Sequence, residues 1–252
     1  MKGAESAKET GMFVRLKEAV LPRIIGLVVH KAETLTQKEM AAEINYLGRL
    51  EVKRGRTVTP VIIAMIGLVG SGKSSVAREL ARHIGGVVVE GDGIRVELRK
   101  LDEKYDSVRL IAENIAINVA GHGNHVILDS DFIDEKKRAS IREKMRKAFI
   151  RLVFIRTHCD PDVMMGRILA AEYEDSPDDF FGGASSMWSG PHKGAIVKWR
   201  EMDRRKPQHY RWVNEVGGRW VLRTPPFQLA ADIDTTNEAQ WKLAVARLAK
   251  QL

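Results

Sequence analysis

The stretch Gly67-Leu68-Val69-Gly70-Ser71-Gly72-Lys73-Ser74 has the form Gly-x-x-x-x-Gly-Lys-[Ser/Thr]. Glycines let a loop curl so that successive backbone amides point at phosphate oxygens. A lysine at the position of Lys73 can reach the β- and γ-phosphates, and a hydroxyl at Ser74 can coordinate Mg²⁺. The pattern therefore predicts a site for ATP and Mg²⁺. The residues expected to hold the nucleotide are Gly67, Gly70, Ser71, Gly72, Lys73, Ser74 and Ser75.

The segments on either side of this loop favour a buried strand before it and a helix after it. Residues 61–66 are apolar and mostly β-branched, as in a strand that is covered on both faces. Apolar residues then recur at helical spacing through Ile84, where Gly85-Gly86 provides a stop. A strand, a glycine loop and a helix in this order are typical of an α/β fold.

Further apolar runs predict the rest of a mainly parallel sheet of five strands. They lie at 87–90, 126–131, 150–156 and 229–234, and helical patterns separate them. The expected fold is a three-layer α/β/α arrangement of the nucleoside-triphosphate-binding type. A basic helix at 198–205 and a closing helix at 238–252 complete the prediction.

Charged residues follow two of these predicted strands. In an open parallel sheet, ligands bind at the carboxyl ends of the strands. Asp92 and Arg95 come after the second strand, where they could hold an acceptor hydroxyl and an acceptor phosphate; alternatively Asp92 only caps a helix and pairs with Arg95. Asp129 is a candidate for holding Mg²⁺ through water or for acting as a general base, with Asp131 as the second choice.

We divide the chain into a helical appendage at 1–58 and a core domain at 59–252. The segment Thr36-Gln37-Lys38-Glu39 has the form of a capping box and predicts a helix from about Gln37. The appendage supplies none of the loop chemistry, so it is either a helical cap on the core or a surface for a protein partner. The glycine-rich and aromatic region at about 170–206 is expected to form a lid.

Composition describes an ordinary globular protein of 252 residues with 44% hydrophobic and 29% charged residues. The single cysteine, Cys159, excludes an internal disulfide. No apolar run is long enough to cross a bilayer and the N-terminus lacks a secretory core, so we expect a cytoplasmic protein without membrane contact. The net charge of +8 leaves a nucleic-acid partner open.

The order of these elements resembles that of the P-loop kinases. The segment Val126-Ile127-Leu128-Asp129-Ser130, followed by Arg138 and later by Asp160-Pro161-Asp162-Val163, is similar to small kinases of the AAA-type ATP-binding group. The segment Glu90-Gly91-Asp92-Gly93-Ile94-Arg95 resembles the corresponding part of adenylylsulfate kinases. The resemblance covers residues 60–252, and the first 56 or so residues lie outside it.

The resemblance implies a role for each matching residue. Lys73 and Ser74 would bind ATP and Mg²⁺. Asp92 and Arg95 would contact the acceptor. The resemblance also implies that the phosphates are clamped by Arg167 and by one of the lid arginines Arg200, Arg204 and Arg205. Arg138, which belongs to the matching segment, is expected at the substrate.

Three functions are compatible with these observations. The first is an ATP-dependent phosphotransferase that acts on a hydroxyl of a small metabolite or nucleotide. The second keeps this chemistry but uses the 5′-hydroxyl of a nucleic acid, as in polynucleotide kinases, and it is motivated by the basic segment 193–223. The third is an ATP-binding switch that engages a protein partner through the N-terminal helices.

Overall fold

The computed structural model describes residues 34–52, 57–171, 193–215 and 217–252. The predicted first part of the appendage, and the lid from 172 to 192, lie outside the described residues. None of the helices in the described ranges is both long and apolar enough to cross a membrane.

The centre of the fold is a parallel sheet of five strands in the order β2-β3-β1-β4-β7. This confirms the predicted fold class. The strands of the sheet are β1 (Val61–Ile66), β2 (Val87–Glu90), β3 (Val126–Asp129), β4 (Arg151–His158) and β7 (Ala231–Asp234). All six residues of β1 are buried, because helices cover the sheet on both faces.

Helices connect the strands and form the two outer layers. Two begin at side-chain caps that the sequence predicts, Thr36 with its capping box and Asp160 before Pro161. The helices are α1 (Gln37–Leu47), α2 (Lys73–Ile84), α3 (Gly91–Lys100), α4 (Val108–Gly121), α5 (Glu135–Ala148), α6 (Pro161–Ala170), α7 (Lys193–His209) and α8 (Glu238–Ala249).

Helix α1 belongs to the core. Ala42 and Tyr46 of this helix are buried in the same apolar cluster as Ile62 and Leu128 of the sheet. Burial of this kind stabilises a protein by about 25 cal/mol per Å² of apolar surface. This part of the N-terminal region therefore packs as a helical cap, which is one of the two alternatives that the sequence leaves open.

A two-stranded antiparallel hairpin follows α7 and is missing from the sequence-based prediction. Its strands are β5 (Tyr210–Val213) and β6 (Arg219–Leu222). Trp212 and Trp220 face each other across it, with ring centroids 5.5 Å apart. Alternating apolar residues on either side of Gly217-Gly218 were the available signal for this hairpin.

Candidate active site

The glycine loop between β1 and α2 has the backbone that its sequence predicts. Gly70 and Gly72 adopt φ angles of 81° and 80°, a left-handed region that suits glycine. A Cβ atom on Gly70 would lie 2.8 Å from the carbonyl oxygen of Met164, and one on Gly72 would lie 3.0 Å from Thr235. The loop is thus held between α6 and the loop after β7, with no room for side chains at these positions.

Some polar residues of the loop are hydrogen-bonded within the fold, whereas the hydroxyl of Ser74 is left available for a ligand. The buried hydroxyl of Ser71 lies 2.9 Å from the hydroxyl of Thr157 on β4, so this side chain anchors the loop. The Nζ atom of Lys73 donates to the carbonyl oxygen of Leu68 at 2.9 Å and stays beside the loop. The hydroxyl of Ser74, at the start of α2, makes no hydrogen bond within the part of the chain that the structure describes.

Arg167 of α6 lies against this loop. Its guanidinium donates to the carbonyl oxygens of Gly70 at 3.2 Å and Thr235 at 2.6 Å, and to the Thr235 hydroxyl at 2.9 Å. Arg167, Gly72, Ser75 and Thr235 also line a cavity of about 250 Å³ beside the loop. The sequence assigns Arg167 to the phosphates, whereas its observed contacts join the loop to the segment after β7.

Asp131 joins the other side of the loop to helix α7. One carboxylate oxygen accepts from the backbone amide of Gly67 at 3.2 Å, and the other accepts from His209 at 3.0 Å and pairs with Arg205. Burial by itself would raise the pKa of this carboxyl. The hydrogen bond and charge of His209, together with the charges of Arg205 and Lys73, outweigh burial and lower the pKa to about 2.

The predicted acceptor residues lie at the ends of β2 and β3. Asp92, in the first turn of α3, pairs with Arg95 and has the Nζ atom of Lys198 at 4.0 Å from its other oxygen. Asp129 ends β3 beside Glu90 of β2, and its carboxylate accepts no hydrogen bond from any described residue. Ser74 and Asp129 are therefore both available as oxygen ligands, which is the donor type that Mg²⁺ prefers.

Helix α1 supports the start of helix α3, which carries the predicted acceptor residues Asp92 and Arg95. The hydroxyl of Tyr46 accepts a hydrogen bond from the backbone amide of Glu90 at 2.8 Å. Its ring packs on Gly93, where a Cβ atom would lie only 2.5 Å from the ring. Burial raises the pKa of Tyr46 to about 12, so it is a neutral phenol at physiological pH. Asp92 thus lies between two residues that α1 contacts.

Arg138, which the sequence-based prediction assigns to the substrate, is buried and makes its contacts within the fold. Its side chain is 4% exposed, and its guanidinium lies 3.9 Å from the ring centroid of Phe227. It donates to the carbonyl oxygens of Phe132 and Ile133 and pairs with Glu135. Arg138 therefore holds the turn between β3 and α5, because its donors are directed at backbone oxygens.

Of the three candidate lid arginines, α7 directs one toward the site. Arg205 faces inward to Asp131, whereas Arg200 and Arg204 are exposed. These side chains lie on one helix with a period of 3.6 residues, so they cannot all point at the same ligand.

Comparison with known proteins agrees with this geometry. Residues 62–180 match a family model described as an AAA domain. A provisionally assigned kinase from Chloroflexus aurantiacus has a similar structure, with 18% identity, a TM-score of 0.50, and coverage of 77% of this chain and 98% of the other. The fold is that of the P-loop kinases. No curated protein matches the chain in sequence.

Two further solved structures are similar to this chain over a comparable length. The APS kinase of Mycobacterium tuberculosis, solved with AMPPNP and APS, has 17% identity and a TM-score of 0.48, and the alignment covers 77% of this chain and 95% of that one. The gluconokinase of Sinorhizobium meliloti has 16% identity and a TM-score of 0.41, with coverage of 77% and 90%.

The structure adds site residues of this P-loop kinase fold that sequence reasoning missed. Thr157 and Thr235 anchor the loop, His209 binds Asp131, and Tyr46 contacts the acceptor helix. Asp131 is not among the missed residues, because the sequence already offers it as the second choice after Asp129. For the missed residues, the partner is too distant in sequence for a local pattern to show it.

Proposed function

We propose that this protein is an ATP-dependent kinase that transfers the γ-phosphate to a hydroxyl of a small metabolite or nucleotide. The observation that carries the proposal is the placement of three functional groups at one edge of the sheet. The glycine loop with Lys73 follows β1, the Asp92–Arg95 pair follows β2, and Asp129 ends the neighbouring strand β3. A groove of about 1120 Å³, lined by Arg95, opens on the acceptor side.

Each group has a role that its position supports. Lys73 and the loop amides would bind the β- and γ-phosphates, and the amino end of α2 favours negative charge there. Ser74, and Asp129 through water, would hold Mg²⁺, which would neutralise charge at the phosphates when bound. Asp92 would orient the acceptor hydroxyl and accept its proton. Arg205 pairs with Asp131, and this contact keeps its guanidinium near the glycine loop.

A transfer screen tests this proposal. The full chain is incubated with Mg²⁺ and γ-labelled ATP against pooled nucleosides, nucleotides, sugars and 5′-hydroxyl oligonucleotides. We expect one pool to be labelled, and Lys73→Ala to lower that labelling by at least about 100-fold, because a preorganised charge at the phosphates is lost. Lys250→Ala, at an exposed position in the last turn of the chain, is the matched control.

Two results would contradict the proposal. Labelling that survives in Lys73→Ala would mean that the loop is not the catalytic site. Binding and slow hydrolysis of ATP, with no labelled acceptor, would instead favour the nucleotide-dependent switch, whose partner surface would then be sought on α1.

A nucleic-acid acceptor is the second candidate, and the hairpin β5–β6 favours it. Trp212 is 51% exposed, and the exposed cations Arg211 and Arg219 lie on the same two strands. Aromatic rings and cations together bind single-stranded nucleic acid. Oligonucleotide binding that weakens steeply with salt, and that Trp212→Ala reduces, is the expected result for this candidate. Salt-independent or absent binding would eliminate it.

A further inference from the structure

The acceptor-side groove is lined by more basic than acidic side chains. It runs beside α3, α4 and α5 and has a volume of about 1120 Å³. Its acidic lining residues are Glu43 and Asp106. Its basic lining residues are Arg95, Arg109, Lys136, Lys137, Lys144 and Lys147.

Carboxylates of the protein neutralise most of these basic groups. Arg109 and Lys144 both pair with the fully buried Glu113, and Lys147 pairs with Glu143. Arg95 pairs with Asp92, but its guanidinium has further donors that this single contact does not use. These ion pairs explain why positively charged residues can line a groove in the folded protein.

Lys137 differs from these residues. It is half-buried on the first turn of α5, and the polar atom that it contacts is the backbone carbonyl oxygen of Asp131, at 3.5 Å. Within the part of the chain that the structure describes, no carboxylate lies within ion-pair distance of its Nζ atom. The neighbouring Lys136 is exposed, so solvent can stabilise its charge.

The groups that face Lys137 make its charge costly. Burial lowers the pKa of Lys137, and the nearby cations Arg205 and Arg95 lower it further. The charges of Asp131 and Asp134 raise the pKa of Lys137, but by less than burial and the two arginines lower it. Asp131 is already bound by His209 and Arg205, so it cannot move to pair with the lysine. A lysine in such surroundings gains most from an anion that is supplied by a ligand.

We propose that Lys137 and Arg95 bind an anionic group of the acceptor, so that the acceptor is a hydroxyl compound that also carries a phosphate, sulfate or carboxylate. The inference rests on the proposed kinase function, because it concerns the acceptor side of that site. Arg95 lies on the acceptor helix α3, one turn after Asp92, so an anion between Arg95 and Lys137 would hold the acceptor with its hydroxyl near Asp92. Lys137 would then determine specificity, and Asp92 would remain the group at the reacting oxygen.

A binding experiment tests the anion site without relying on catalysis. The lysines of the full chain are labelled by reductive ¹³C-methylation, and the signal that is missing in Lys137→Gln is assigned to Lys137. AMPPNP and Mg²⁺ are added to saturation so that the glycine loop is occupied, and inorganic phosphate is then added. We expect phosphate to raise the pKa of Lys137 by about one unit, a tenfold change in proton affinity, because a bound anion favours the charged form.

Controls separate this outcome from the alternatives. The signal of the exposed Lys250 should not respond to phosphate at the same ionic strength. Acetate in place of phosphate distinguishes a carboxylate site from a phosphate or sulfate site. A pKa of Lys137 that changes fully with AMPPNP, with no further change by phosphate or acetate, would assign the residue to the nucleotide and overturn the proposal.

Transfer kinetics give an independent test once the screen has found an active pool. Acceptors are compared in pairs that differ by one anionic group, such as a nucleoside and its monophosphate or a sugar and its acid. We expect the anionic member to be preferred, and Lys137→Gln to raise its KM about tenfold while the KM for ATP stays unchanged. Preference for the neutral member, or a lower kcat at unchanged KM, contradicts an acceptor anion at Lys137. If no acceptor is found but phosphate still binds at Lys137, the kinase function fails while the anion site stands.

Discussion

The proposed nucleotide side and the proposed acceptor side of the site are built from different kinds of atoms: backbone and short side chains on the first, long charged side chains on the second. On the nucleotide side, the loop is held by backbone atoms and short side chains, with Gly70 against α6 and Gly72 against Thr235. On the acceptor side, long charged side chains such as Arg95 and Lys137 line a wide groove. A ligand common to many proteins can be held by backbone amides, whereas a particular acceptor must be selected by side chains.

Asp131 connects the two sides, and its removal should have the largest effect. The substitution Asp131→Asn keeps the size of the side chain but leaves Arg205 and His209 without a carboxylate. We expect the free energy of unfolding to fall by about 3–5 kcal/mol, as when one member of a buried ion pair is removed. Urea unfolding measures this loss. The same loss in Asp134→Asn, whose carboxylate caps α5 at the surface, would show that the effect is not specific to the buried cluster.

The second prediction concerns a substitution in the glycine loop that should weaken nucleotide binding alone. Gly70→Ala places a Cβ atom 2.8 Å from a backbone oxygen in a left-handed region, so the loop has to shift. We expect AMPPNP binding to weaken about 100-fold, or by about 2.7 kcal/mol, in a calorimetric titration. Gly166→Ala on α6 is the control, because a Cβ there meets nothing within 4 Å. Equal affinity in the two variants would mean that the loop geometry does not control nucleotide binding.

A third prediction concerns the stability of the fold at low pH. The pKa of Asp131 in the folded protein is about 2, below its ordinary value of 3.8, so ionised Asp131 stabilises the fold. This contribution is fully present above about pH 4 and is lost as the pH falls through 2, and it amounts to about 2 kcal/mol. The free energy of unfolding, measured from pH 5 to pH 2, should fall less steeply in Asp131→Asn than in the wild type. Parallel curves would contradict the lowered pKa.

The smallest expected effect is tested with two buried tyrosines, Tyr46 beside α3 and Tyr210 beside the glycine loop. Tyr46→Phe removes the oxygen that accepts from the Glu90 amide, while Tyr210→Phe removes a hydroxyl that donates to the carbonyl oxygen of Cys159 at 3.2 Å. Each hydrogen bond contributes about 1 kcal/mol. We expect hydrogen exchange in residues 90–95 to accelerate about fivefold in Tyr46→Phe and to stay unchanged in Tyr210→Phe. If both variants changed exchange in this segment equally, α1 would have no specific role at the acceptor helix.

The features of the fold that the sequence predicts correctly depend on residues that are close together in the chain. The loop, the five parallel strands and the caps at Thr36 and Asp160 follow from residues that are close together in the chain, because backbone geometry and capping are local. Placement of Asp92 and Arg95 at a strand end followed from the alternation of strands and helices. The acceptor role of these two residues remains a prediction.

The surroundings of other charged residues depend on contacts with residues that are distant in the sequence. Arg138 is buried against Phe227, which lies 89 positions later in the chain, and no local pattern predicts this contact. The partner of Asp131, His209, is 78 positions away. Lys137 lies in a run of charged residues, so only the folded structure shows that it has no carboxylate partner among the described residues. Local patterns contain no information on such pairs.

The contact between Tyr46 and the start of α3 has a consequence for folding during synthesis. Its two partners are separated by 44 residues, and the α1 residue Glu43 binds Asn114 of α4, so these acceptor-side contacts are complete within the first half of the chain. The supports of the glycine loop, Thr157, Arg167, His209 and Thr235, all follow in the second half. We therefore expect helices α1, α3 and α4 to associate on the ribosome while the glycine loop still lacks these supports.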